Sequence, residues 1–240
     1  MTQPSTTAHD AFPASRNPRV YVVIPAYNEA AVIADVITAV KASCPDIIVV
    51  DDGSRDATGA IARRSSVYVI RHVINRGQGA ALQTGIEFAL MAGADIIVTF
   101  DADGQHDAAD ISRLTAPIIA GACDIALGSR FLGETIDLPA VRRLLLRAGI
   151  LFTRVTSGAA VSDTHNGLRA FSRRAAECIR LRLDGMAHAS EIIDQVIRSG
   201  LPWREIPVTI RYTDYSRTKG QSSRGAIKIA MHYLLGRVMR

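Results

Sequence analysis

Cysteine is scarce in this 240-residue chain: Cys44, Cys123 and Cys178 are odd in number, far apart and without metal-ligand spacing. They read as reduced, mostly buried thiols, which excludes a disulfide framework or a zinc cluster. Long apolar runs are missing too. Arg147 and Arg154 interrupt the best candidate before it reaches the roughly 20 residues that cross a bilayer, so no spanning helix is expected. Residues 1–18, rich in Thr, Ser, Pro and Ala, lack a basic start followed by an apolar stretch. They read as a flexible tail and not as an export signal, which points to the cytoplasm. No internal repeat or low-complexity tract occurs.

What is present suits one large domain with a short extension, since 48% hydrophobic residues are ample for a core. The net charge of +5 is segregated: residues 1–120 carry 9 Lys and Arg against 13 Asp and Glu, so the second half holds the basic excess. That half should prefer an anionic partner, an acidic substrate or a lipid surface, unless the arginines only solvate it. Short β-branched runs at 19–25, 46–52, 67–72, 95–101 and 124–130 alternate with helical patterns. Nearly continuous hydrophobicity marks them as buried, mostly parallel strands in a βαβ series. Asn28, Asp56 and Asp107 can cap the intervening helices, the first of which carries Ile33, Val36, Ile37 and Val40 on one stripe. Past residue 131 come a basic amphipathic segment "PAVRRLLLRAGILFTRVTSG", a polar knot "SDTHNGLRAF", a helix near 189–199, a strand "WREIPVTIRY" and a terminal helix from about 223.

In open parallel sheets, ligands bind beyond the carboxyl ends of the strands, and there the polar clusters fall: "PAYNE", "DDGS" and "DADGQH". In an extended backbone Asp101 and Asp103 point to one side and repel unless a cation sits between them. A Mg²⁺ site built from one or two carboxylates plus substrate phosphates fits that pattern. His106 is a further ligand or a hydrogen-bonding loop residue. Tyr27 offers a flat face for a base, Glu29 can receive ribose hydroxyls, and the acidic "DDGS" can bind a nucleoside or merely form a turn. "NRGQG" opens a helix without a dinucleotide fingerprint. Arg130, ending "LGSR", can neutralise a phosphate.

Taken in order, "VVIPAYNEA", "VVDDGS", "NRGQGAALQTGIEFAL", "FDADGQH", "GSRF" and "DTHNGLRAF" resemble the family 2 glycosyltransferases of the GT-A fold, over residues 20–212. Within that family the chain is similar to the branch of dolichyl-phosphate mannose synthases and bacterial polyprenyl-phosphate glycosyltransferases. The resemblance implies a Rossmann-like, mostly parallel sheet flanked by helices, with a C-terminal amphipathic helical extension. It divides the domain into a nucleotide-sugar half, 19–131, and an acceptor half, 132–212, before a basic loop and helix at 213–240. It implies that Pro25, Tyr27, Glu29 and Asp52 bind the donor nucleoside, and that Asp101 and Asp103, with Gln105 nearby, hold Mg²⁺ or Mn²⁺ on the diphosphate. Arg130 would steady the phosphates. Many relatives carry lysine where Gln78 stands, so Arg76 is left to supply positive charge near the donor.

The expected reaction is inverting transfer of a hexose from a UDP- or GDP-sugar to a polyprenyl phosphate at the cytoplasmic membrane face. A hydroxyl acceptor would need a general base, for which Glu191 and Asp163 are the candidates; each has a structural alternative, a helix-start acid and a partner for Arg169. Arg142, Arg143, Arg211, Arg217 and Lys219 are the candidates for gripping phosphates on the acceptor side. The amphipathic segments 141–158 and 225–240 suit a membrane surface, a small membrane-protein partner or a homo-oligomer interface. The alternative functions are a hydroxyl-directed transferase and a non-catalytic nucleotide-sugar-binding subunit. Nucleic-acid binding would rest on basic charge alone.

Overall fold

A computed structural model describes residues 17–136, 150, 161–185, 187–212 and 215. The five expected strands form as β1 (Val20–Ala26), β2 (Ile47–Asp51), β3 (Tyr68–Arg71), β4 (Ile96–Thr99) and β5 (Ile125–Ser129). Helices α1 (Ile33–Ser43), α2 (Thr58–Arg64), α3 (Gln78–Met91) and α4 (Asp110–Ile119) follow the first four. The expected stripe of α1, Ile33, Val36, Ile37 and Val40, is its buried face. Runs such as Val22, Val23 and Ile24 are fully buried because both sheet faces are covered. One face packs against α1, α2 and α4, the other against α3 and the later helices.

A short strand β6 (Thr135–Ile136) follows, and then β7 (Arg169–Ser172), α5 (Arg173–Cys178), α6 (His188–Ser199), β8 (Trp203–Pro207) and β9 (Ile210–Arg211). The main sheet has the order β3-β2-β1-β4-β7-β5-β8. Its pairings are parallel except those of β7, which runs antiparallel between β4 and β5. Connections travel from β1 outward through β2 to β3, then return to the other side of β1 at β4. The reversal opens a crevice between the carboxyl ends of β1 and β4, where such sheets bind ligands.

Three local expectations need correction. Asn28 does not cap α1, which begins at Ile33. Instead it adopts φ 55°, a left-handed conformation that asparagine tolerates, while its Oδ1 accepts from the Arg55 N–H and its own N–H donates to Ser54 Oγ. The β1–α1 and β2–α2 loops are thereby tied together. Asp56 and Asp107 stand in the turns before α2 and α4, accepting from Thr58 and Ala109 N–H. "WREIPVTIRY" is not one strand: after Pro207 the chain leaves the main sheet and β9 pairs with β6. The polar knot ends in strand β7, which its composition conceals. The segment 141–158, apart from Ile150, and the terminal helix lie outside the described residues.

Candidate active site

Asp101 directly follows the run Ile96–Phe100, at the mouth of β4 and beside the exit of β1. Its carboxylate is held from two sides: Gln78 Nε2 donates to Oδ1 at 2.8 Å, and His106 Nε2 sits 3.1 Å from Oδ2. Gly167 backs it so closely that a Cβ there would overlap the carboxylate, so only glycine fits. Burial alone would raise the Asp101 carboxyl. The His106 hydrogen bond and the electrostatic attraction of His106 and Arg169 outweigh burial and hold it below the usual carboxylate range. Asp103 lacks that support. Burial, followed by repulsion from Asp101, pushes it up to about 6, although Gln105 N–H donates to its Oδ1 at 3.0 Å. His106 is thus a hydrogen-bonding loop histidine, seated edge-on against Phe100 with ring centroids 5.3 Å apart.

Arg169, the first residue of β7, is buried beneath this mouth. Burial lowers its pKa to about 10 against the attraction of Asp101 and Asp163. His165 and His188 flank the same region; burial first, then neighbouring arginine charge, drives both to about 4, so they are neutral at pH 7. Four buried side-chain atoms here lack a partner among the described residues: His106 Nδ1, Thr164 Oγ1, His165 Nδ1 and Arg169 Nη1. Buried polar groups are normally paired, so the bonding of these atoms is completed by groups outside the described residues, by ligand or by solvent.

Arg130 and Asp163 are partners of each other. Arg130 Nε reaches Asp163 Oδ2 at 2.6 Å, its N–H donates to the same oxygen at 3.1 Å, and Nη1 donates to Tyr212 Oη at 2.7 Å. Burial would lower the Arg130 pKa, but the Asp163 carboxylate and the hydrogen bonds to Asp163 and Tyr212 carry it upward, so the guanidinium stays charged. The pairing of Asp163 with Arg169 is therefore replaced: Arg169 Nη2 donates to the Thr164 carbonyl instead. Glu191, buried on α6, accepts from the Arg182 and Leu183 N–H groups.

The donor-side candidates line the first three loops. Pro25 is buried at the end of β1, while Tyr27 is 39% exposed. Glu29 accepts from Tyr215 Oη at 2.7 Å. Asp52 accepts from Arg76 N–H at 2.9 Å and Gly77 N–H at 2.7 Å, and contacts His72 Nδ1 at 2.7 Å. It thereby fixes the "NRGQG" turn against β2. The Arg76 side chain is half exposed and 4.0 Å from Asp184. Gln105 is buried, and its carbonyl accepts from Arg211 N–H, while the exposed Arg211 side chain lies 3.5 Å from Asp107. Arg142, Arg143, Arg217 and Lys219 lie outside the described residues. Sequence reasoning missed the roles of Gln78, His72, His188 and Tyr212; the Gly-rich "NRGQG" is the one signal that pointed toward the first of them.

Among the described residues no group of three or more His, Cys, Asp or Glu is arranged to hold a metal. Two nearby carboxylates fit a divalent cation whose remaining partners would come from a diphosphate; burial first, and then repulsion from Asp101, raises the Asp103 pKa.

The family model of glycosyl transferase family 2 matches residues 21–180. The chain belongs to that family. As a glycosyltransferase it is 33% identical to the UDP-N-acetylglucosamine–dolichyl-phosphate N-acetylglucosaminyltransferase of Methanococcus voltae, covering 90% of this chain and 95% of that protein. It is also 33% identical to the polyprenol monophosphomannose synthase of Mycolicibacterium smegmatis, covering 92% and 89%. Among solved structures, glucosyl-3-phosphoglycerate synthase of Mycobacterium tuberculosis, in complex with Mn²⁺, UDP-glucose and phosphoglyceric acid, superposes with a TM-score of 0.72. At 20% identity, over 97% of this chain and 83% of that one, this establishes the shared GT-A fold. The expected mostly parallel sheet flanked by helices is the one observed, and the expected C-terminal helical extension lies outside the described residues.

Proposed function

We propose that this glycosyltransferase moves a hexose from a nucleotide-diphosphate sugar, UDP- or GDP-linked, to a polyprenyl phosphate. The observation that carries the reading is the carboxylate pair Asp101 and Asp103 at the β1–β4 crevice, where burial and the Asp101 charge push Asp103 up to about 6. The names of the relatives with dolichyl-phosphate and polyprenol acceptors support the lipid-phosphate side. A Mg²⁺ or Mn²⁺ held there supplies Lewis acidity to the departing diphosphate.

This chain's own residues do the positioning. Gln78 and His106 orient Asp101. Tyr27 and Glu29 flank the crevice on the β1 side for the nucleoside, and Asp52 holds the turn that closes it. Asp163 is committed to Arg130, and Glu191 to backbone N–H groups, which leaves neither poised to take a proton. A phosphate acceptor needs no such base, because it arrives as an anion able to attack the anomeric carbon with inversion. The exposed Arg211, together with Arg142, Arg143, Arg217 and Lys219, supplies cationic charge for the acceptor phosphate. Such an acceptor puts the enzyme at the cytoplasmic face of the membrane.

The test incubates purified protein with Mn²⁺ or Mg²⁺, labelled UDP- or GDP-sugars and polyprenyl phosphate in detergent. Metal-dependent label in the organic phase is expected from one donor. Donor binding without lipid product, but with transfer to a hydroxyl acceptor, would overturn the lipid-phosphate assignment.

A further inference from the structure

Between α5 and α6 runs a strap, residues 180–185, with neither helical nor strand structure. Its N–H groups are taken one after another by side chains from two helices. Arg180 donates to Gln195 Oε1 at 2.7 Å, Leu181 to Gln83 Oε1 at 2.8 Å, and Leu183 to Glu191 Oε2 at 2.9 Å. Arg182 N–H is shared between the two Glu191 oxygens, at 3.2 and 3.1 Å. The Arg180 carbonyl accepts from Gln195 Nε2, while the Leu183 and Asp184 carbonyls face the first turn of α3. Gly79 N–H donates to the Asp184 carbonyl at 2.7 Å. A Cβ on Gly77 would overlap the Asp184 oxygen, and one on Gly79 the Leu183 oxygen. Between these glycines stands Gln78, whose amide holds Asp101.

We propose that Glu191 is a positioning residue for the Asp101 carboxylate: it fixes the strap, the strap fixes the start of α3, and Gln78 passes that placement to Asp101. The inference rests on the proposed metal site at Asp101 and Asp103. It assigns Glu191 a role different from proton abstraction, since its oxygens are occupied by donors that a base must shed. A neutral amide at 191 presents an NH₂ group toward backbone N–H groups, so one of the contacts turns repulsive and the strap lifts from Gly77 and Gly79. A side chain shorter by one methylene does not reach.

The readout is Mn²⁺ affinity, measured by titration calorimetry in the presence of UDP or GDP, without turnover. Partners that orient metal ligands change affinity by about 10–100-fold when removed. Glu191→Gln is expected to weaken Mn²⁺ binding by about tenfold. Gln78→Met, which cuts the last link and leaves the strap intact, is expected to do the same, and the double variant to lose little more than either single one. Should Glu191→Gln fail to fold, Gln78→Met decides. Wild-type affinity in Gln78→Met, or additive losses in the double variant, overturns the inference while leaving the metal site standing. A wild-type protein that binds no Mn²⁺ removes the metal site, and the inference with it. Loss of turnover in Glu191→Gln with unchanged Mn²⁺ affinity and loss of the acidic limb of the pH profile identifies a base and overturns the positioning role.

Discussion

Replacing Asp163 with asparagine separates structural from catalytic use of that carboxylate. The pair it forms with Arg130 is almost dry, with side-chain exposures of 1% and 6%, and Arg130 Nε lies 2.6 Å from Oδ2. Asparagine preserves the shape and one acceptor but no longer cancels the guanidinium. An arginine left charged and unpaired in such surroundings costs about 3–5 kcal/mol. For a chain of this size each kcal/mol moves the midpoint by roughly 2–4 °C, so Asp163→Asn should melt about 6–20 °C below wild type. The double variant Arg130→Met, Asp163→Leu removes both charges and should recover most of that loss, although Tyr212 then gives up its Arg130 contact. Thermal unfolding followed by circular dichroism reads both. If Asp163→Asn unfolds at the wild-type temperature yet loses turnover, the carboxylate is not an ion-pair anchor and its assignment as a base returns.

Asp101→Ala should abolish Mn²⁺ binding and transfer while leaving far-ultraviolet circular dichroism unchanged; near-native turnover at saturating metal would sink the metal role. Gly167→Ala should drive a methyl group into Asp101 and reduce transfer by at least about tenfold, read as a lowered kcat in a folded protein. The pH dependence follows from Asp103, which titrates near 6. Metal requires the carboxylate, so affinity falls as pH drops through that value, by on the order of tenfold between pH 7 and 5 if other ligands stay ionised. Folding carries the opposite sign. The folded pKa exceeds that of the unfolded chain, so metal-free protein gains stability from Asp103 as pH falls through about 6 and loses it as pH rises. Calorimetry and urea titrations at pH 5, 6 and 7 check the two signs separately.

The first half of the fold was legible because its signals are local. Each buried strand is a β-branched run, each helix carries its own stripe, and the polar clusters sit where the strands end. The later elements depend on distant contacts. β7 is only Arg169–Ala170–Phe171–Ser172, begins with a charge, and becomes a strand by filling the gap between β4 and β5. "WREIPVTIRY" reads as one strand because the break after Pro207 depends on a distant partner: β9 pairs with β6 across more than seventy residues.

The same division runs through the site. Asp101 and Asp103 announce themselves by spacing, whereas what makes them usable comes from elsewhere: Gln78 on α3, Arg169 on β7 and His106 in the following loop. A carboxylate read alone suggests a base, a cap or a ligand with equal ease. Its hydrogen-bond partners decide among these. Asp52 faces a backbone turn, Asp163 a guanidinium and Glu191 a strap, and these three are engaged with polypeptide donors. At Asp103 one described donor, the nearby Gln105 N–H, meets a carboxylate that burial and Asp101 keep hard to ionise. Charge without sufficient protein compensation, placed at the crevice where the sheet reverses direction, is what sets the proposed ligand site apart from the engaged acids around it.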